Sequence, residues 1–368
     1  MKTQQAHNAL LDEVEEKPSA PASEDHHARI LQAGLLLGLL ALLAFSVVIA
    51  TGLGTTPIPP GTVARTILSH VPALHIRPGD QMVDTIVWQI RLPEICLAVL
   101  IGIALATAGL AFQSLLRNDL AEPYTIGVSS GASVAAGIII VAGWTAAWGG
   151  LALPAAAFLG SVLVLILVYA LARRGSYVDV RSLLLAGVVG SSFLWAVQML
   201  LLRLAGKTDD QILQFLMGSL SSASWRENAL LVGFVVVGAA VLATQVQAMN
   251  LFALGEESAR QLGVETERFK TIMIVAGALL TSATVAVAGI IGFVGLIVPH
   301  IARRLCRTPD HRVVLPVSAL AGAIMMLWSD TLSRLAFGGG TLPVGVVTAF
   351  LGGPFFFFLL RRQKAGNR

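Results

Sequence analysis

Eight stretches of this chain, 30–64, 95–116, 123–172, 182–202, 228–255, 271–302, 313–329 and 335–360, contain no Asp, Glu, Lys or Arg. The hydrocarbon core of a bilayer is about 30 Å thick and takes roughly 20 apolar residues at about 1.5 Å each. Uncharged runs of this length leave one architecture open, a bundle of membrane-spanning helices. Only 12% of the 368 residues are charged and 55% are hydrophobic, with a mean hydropathy of +0.78. Soluble domains carry about twice that share of charge. An ordinary soluble enzyme, a disordered chain and a nucleic-acid-binding domain are therefore excluded, and a net charge of +4 is too small to argue otherwise.

Residues 1–29 are polar and net acidic and read as a disordered tail. The first run holds one span near 30–53, and the run 123–172 is broken by AGWTAAWGG at 142–150 into two. The run 271–302 decides the count. As one straight helix it would be ~48 Å long, and it carries Gly289, Gly292, Gly295 and Pro299. If it crosses twice, the chain has ten spans with both termini inside, 18 Lys and Arg on the inner side and 7 on the outer. A single crossing gives 11 inside and 14 outside. Basic residues favour the cytoplasmic side, so the expectation is an all-α integral membrane protein with ten transmembrane helices over 30–362 and a basic cytoplasmic tail at 363–368. Ala104, Ala106, Ala108 and Gly109 predict close helix approach. Cys96 and Cys306 fall at opposite faces and should not pair.

Ion-coupled carriers place titratable groups inside the bundle, and here the span centres carry almost none. Asp330 and Arg334 lie at an outer span end, and His300 near an inner one reads as a packing residue. There is no HExxH, no metal-binding constellation and no catalytic residue to assign. Gly206-Lys207-Thr208 has Leu201 where a phosphate loop needs its first glycine. A membrane enzyme and a secondary carrier are thus disfavoured, and energy must come from another polypeptide. The inner loop 250–270, NLFALGEESARQLGVETERFK, presents Glu256, Glu257, Arg260 and Gln261 on a short helix stopped at Gly263. It suits a docking helix for a cytoplasmic partner. On the outer side Arg91, before Pro93, is placed to anchor a helix end or to meet a docking protein.

Five segments, in order, carry a family likeness: RLPEICLAVLIGIALATAG, QSLLRNDLAEPYTIGVSSGAS, LFALGEESARQLGV, VAGIIGFVGLIVPHIARR and TLPVGVVTAFLGGPFFFFLLRR. The chain resembles the FecCD-type permeases, membrane subunits of type II ABC importers for iron–siderophore complexes, haem and cobalamin. The resemblance implies a second permease subunit, here a homodimer, two cytoplasmic ATPase subunits that use ATP, and a periplasmic or lipid-anchored substrate-binding protein. No cofactor is expected on this chain. It implies a bacterial inner-membrane location and an iron chelate as cargo, with cobalamin or haem as alternatives. Gly255, Glu256, Glu257, Ala259 and Gly263 match the ATPase-coupling segment, and Arg91 and Arg334 match two binding-protein docking positions. Glu94 replaces a third docking arginine, and Thr341 stands where the family often has Glu. The fifth and last spans would line the pathway, offering Ser191, Ser192, Gln198 and Thr348.

Overall fold

The computed structural model describes residues 22–54, 56–71, 79–175, 177–336 and 342–366. Helix α1 spans Ala22–Gly52 and is followed by the short amphipathic α2, Pro60–Ser69. The apolar sequence from Gln81 to Leu116 forms one continuous rod, α3, whose Thr85–Arg91 stretch is wound as a π-helix. Next come α4 (Val128–Val141), α5 (Ala152–Ala172), α6 (Val180–Ala205) and the short α7 (Asp209–Met217). Then follow α8 (Trp225–Thr244), α9 (Val246–Ala253), α10 (Glu256–Gln261) and α11 (Thr266–Ala288). The chain closes with α12 (Val294–Cys306), α13 (His311–Leu335) and α14 (Val344–Gly366). The β structure among the described residues is a two-residue pair, Arg173–Arg174 against Tyr177–Val178.

Among the described residues, seven helices are long and apolar enough to cross a membrane, and the segments 128–141 and 344–358 are shorter apolar helices. Helix α12 covers 13 residues, about 20 Å, and ends in Arg303 and Arg304. The run 271–302 is broken, as its length required. It stops at Gly289 (φ 74°) and restarts after Phe293 (φ 69°). Two boundaries depart from the sequence reading. Helix α1 starts at Ala22, so the last eight residues of the presumed tail prolong it, since no glycine or proline lies between Ala22 and Arg29 to stop a helix. Likewise α14 continues through the first residues of the presumed C-terminal tail to Gly366. Residues 1–21 lie outside the described ones.

The core is built on α3, which packs against α13, α11, α12 and α8. Its small residues set the approach distances. A Cβ at Gly102 would lie 2.2 Å from the Gly322 carbonyl oxygen of α13, and one at Gly109 would lie 2.0 Å from that of Gly295 in α12. Helices α4 and α5 cross in the same way at Gly131 and Gly160. Lipid tails are as apolar as leucine, so burial alone does not drive helices together, and backbone contact at small residues supplies dispersion energy instead. The outward faces of α1, α5 and α6 carry exposed Leu, Val and Phe side chains, as lipid contact requires.

Candidate docking sites and pathway

Helix α10 is set between two glycines with positive φ, Gly255 (123°) and Gly263 (88°). Its one fully buried side chain, Ala259, seats it on the bundle. Glu256 and Glu257 occupy its first turn, where the helix dipole favours carboxylates. They divide the work. Glu257 is 70% exposed and pairs loosely with Arg260 at 3.3 Å. Glu256 turns inward to the Lys270 ammonium of α11 at 2.9 Å. Lys270, itself buried, also meets Glu267 at 2.6 Å and donates to the Val178 carbonyl at 3.0 Å. Glu267 in turn accepts from the Val178 N–H at 2.7 Å. The helix is thereby bolted to a span and to the β pair. Leu254 and Leu262, both more than half exposed, flank it with apolar surface. The sequence reading missed Lys270 and Glu267 because their partner, Val178, lies about ninety residues away. The spacing of Leu254 and Leu262 around a charged segment was the visible signal.

The same end carries Asp179, which caps α6 by accepting from the Arg181 N–H and the Ser182 hydroxyl. The Ser182 hydrogen bond, with the Arg181 N–H, holds its carboxyl below the usual range. Asp310 caps α13. Burial pulls its carboxyl upward, but the Arg312 N–H and the Asn250 amide outweigh that and hold it low.

The outer arginines are engaged internally. Arg91 is buried at 6% exposure, and its guanidinium donates to the carbonyls of Thr51 (2.9 Å), Gly52 (3.3 Å) and Thr56 (2.6 Å). It ties the π-helical turn of α3 to the end of α1, as the first of its two readings, a helix-end anchor, has it. Arg334 lies against Asp330 at 3.0 Å and Glu94 at 3.6 Å, all three largely buried. The departure at Glu94 thus supplies an internal partner for Arg334. Thr341 lies outside the described residues. Replacing Arg91 by Ala orphans three carbonyls and should lower stability by about 3 kcal/mol, at roughly 1 kcal/mol or more each. Lys should not rescue it, since a single ammonium cannot reproduce the fork. Thermal unfolding of the purified variants decides between this anchor and a simple docking charge, for which Lys would suffice.

The pathway candidates separate as well. Ser192 is exposed on α6, but Ser191 points toward Gly127, and Gln198 is buried at 3% against Gly137 of α4. Thr348 is fully buried and donates to the Gly345 carbonyl at 3.0 Å. Ser191, Gln198 and Thr348 therefore face protein, because helical spacing alone does not tell which arc of α6 or α14 its neighbours cover. A cavity of about 470 Å³ lies elsewhere, between Met217 of α7, the break residues Ile290 and Phe293, and Val346 and Phe350 of α14. The break itself is held from both sides. Ile290 donates to the Phe215 carbonyl at 3.2 Å, and the Ile291 carbonyl accepts from the Tyr124 hydroxyl at 3.0 Å. Phe293 donates its N–H to the Glu122 carboxylate at 2.7 Å. Neither α7 nor this clamp was visible in the sequence, where the stretch between the runs 182–202 and 228–255 reads as an outer segment.

The chain is a polytopic helical bundle with a braced, charged helix exposed at one end. The pattern of the FecCD transport family matches residues 42–362. The ABC transporter permease protein YvrB of Bacillus subtilis, uncharacterized, is 38% identical over 91% of this chain and 95% of its own length. The cobalamin import system permease protein BtuC of Halobacterium salinarum is 40% identical over 76% of this chain and 74% of its own length. The vitamin B12 import system permease protein BtuC of Salmonella paratyphi A is 40% identical over 78% of this chain and 88% of its own length. An ABC transporter assigned to the metal-chelate type, solved in an inward-facing conformation, superposes with a TM-score of 0.77 and 28% identity, covering 90% of this chain and 99% of that one. The chain belongs to the FecCD transport family. It is a multi-pass permease subunit of an ABC importer, a transporter component rather than an enzyme.

Proposed function

We propose that two copies of this chain form the membrane channel of an importer for a metal chelate in a bacterial inner membrane, with ten crossings and both termini cytoplasmic. Two ATPase subunits bind ATP and grip α10, and a substrate-binding protein delivers cargo at the opposite end. The observation that carries the reading is α10 itself, an exposed charged helix with two flanking leucines, braced through Lys270 to α11. Force applied there reaches a span directly. Gly255, Glu257 and Gly263 are the contact and turn positions, while Glu256 and Ala259 hold the helix in place. At the outer end, Arg91 and Arg334 shape the docking surface from within. The wall of the pathway is assigned to Met217, Ile290, Val346 and Phe350, with Ser192 on the exposed arc of α6.

Three cargoes are compatible with the class: a corrinoid, an iron chelate and haem. The relatives at 40% identity carry cobalamin or vitamin B12 in their names, which favours a corrinoid. An iron chelate and haem are the other readings, since permeases for all three cargoes share the sequence motifs. Proteoliposomes containing the complete importer should concentrate one of them in an ATP-dependent way. Glu257→Ala combined with Leu254→Ala should cut that uptake at least tenfold while leaving the permease folded. Undiminished uptake in this double variant removes α10 from the coupling role.

A further inference from the structure

At the end of the bundle that carries α10, a polar cavity of about 690 Å³ opens between the C-terminal ends of α3, α9 and α12 and the start of α13. Its inner wall is a chain of hydrogen bonds. The His311 backbone N–H and Nδ1 both meet the Asn250 side-chain oxygen, at 2.9 and 2.7 Å, while the Asn250 amide donates to Asp310 at 2.6 Å. Asn250 is thereby fixed as the acceptor toward His311, so Nδ1 carries the proton and Nε2 accepts from the Ser114 hydroxyl at 2.8 Å. The far wall is set by Arg303, which holds Asp119 at 3.0 Å and also donates to Gln113. These groups satisfy one another.

The mouth is different. Arg117, which lines it, is the C-cap of α3 at φ 48°, and Arg307, next to Thr308 of the lining, is the C-cap of α12 at φ 52°. A left-handed C-cap favours glycine, and a side chain there is strained by roughly 1 kcal/mol. Of the four non-glycine residues with positive φ among the described residues, two are these arginines. Both are exposed. Neither has a hydrogen-bond or carboxylate partner among the described residues, although Asp119 lies only two residues from Arg117. Arg117 also reaches to within 3.9 Å of the position a Cβ would take on Gly255, the residue that opens α10. Two free guanidinium groups are thus held at strained positions, Arg117 beside the start of α10 and Arg307 one residue from the cavity lining.

We propose that this mouth is a second docking point for the ATPase subunit, in which Arg117 and Arg307 pair with carboxylates of that subunit while α10 makes the coupling contact. The inference rests on the assignment of α10 to the ATPase interface and extends it to a surface of opposite charge. Glu257 at the tip of α10 calls for a cation on the partner, and the arginine pair calls for acids. The two sites together fix the partner's register on the permease.

The test is equilibrium binding of the purified ATPase subunit of the same importer to the full permease in nanodiscs. Arg117→Gly with Arg307→Gly removes both charges and relieves both backbones, so the melting temperature should hold or rise. The Kd should increase about tenfold at low ionic strength and converge on the wild type in high salt, where exposed charges are screened. Arg117→Lys with Arg307→Lys should bind within threefold of the wild type. Unchanged affinity in the glycine variant overturns the proposal. So does an equal loss in the lysine variant, or a fall in melting temperature that marks the arginines as structural caps. If the glycine variant instead loses only the stabilisation given by phosphatidylglycerol over phosphatidylcholine nanodiscs, the pair serves lipid headgroups and the docking point falls. Failure of the wild-type permease to bind the ATPase at all would count against the α10 assignment, a separate result.

Discussion

Gly109→Leu should prevent the permease from accumulating in a folded state. A Cβ at this position would sit 2.0 Å from the Gly295 carbonyl oxygen and 2.5 Å from its Cα. Both are backbone atoms of α12, so no rotamer change removes the clash. The same glycine–glycine contact recurs about two turns away along α3 at Gly102 and Gly322, so α3 cannot slide to make room without meeting α13. Overpacking a filled core costs about 1–3 kcal/mol per added group that can still be accommodated. Here the helices must separate, and the dispersion contacts along α3 weaken together. Size-exclusion profiles of the detergent-solubilised protein should show the monodisperse peak lost. Gly38→Leu is the control, since nothing lies within 4 Å of a Cβ there. Equal behaviour of the two variants would remove backbone contact as the organising force of the bundle.

Lys270→Met should abolish uptake while leaving most of the fold intact. The ammonium lies between Glu256 and Glu267 at 2.9 and 2.6 Å and holds the Val178 carbonyl. Breaking a buried ion pair by deleting one partner is destabilising by about 3–5 kcal/mol. The two carboxylates keep about a third of their surface in water, at 36% and 34% exposure. Solvent screening brings the expectation down to about 2 kcal/mol. The larger effect is mechanical. With the carboxylates repelling each other, α10 loses its brace to α11, so ATP turnover by the bound partner should continue without transport. Converting Glu256 and Glu267 to Gln in the same chain removes the repulsion and should recover the melting temperature but not the uptake. A single variant that transports normally would show that α10 moves the bundle by another route.

The sequence made the membrane class legible because a bilayer imposes one length and one polarity on every span. It also placed the break in 271–302, since four glycine and proline residues in an overlong run have few other readings. The charge pattern of α10 was legible for the same reason: a local helix between two glycines needs no distant information. What stayed hidden was every feature that depends on a partner far along the chain. Arg91 reads equally as a helix anchor or a docking charge until Thr51, Gly52 and Thr56 are brought beneath it. Glu94 reads as a lost docking charge until Arg334 arrives from more than two hundred residues away. Gln198 and Thr348 read as channel polarity because an apolar helix with one polar side chain gives no azimuth. Even in the structure, neither amide atom of Gln198 finds a hydrogen-bond partner among the described residues.

The interruption between α11 and α12 has a consequence for how motion passes through the molecule. Several of its amide and carbonyl groups answer to neighbours rather than to a helix: one to Phe215, others to Tyr124 and Glu122. Its position is therefore dictated by α7 on one side and by the α3–α4 connection on the other. A displacement of either is handed on to the other through a few short links, as in a rocker pivoted at its middle. A continuous helix in the same place would have absorbed such a push along its own axis.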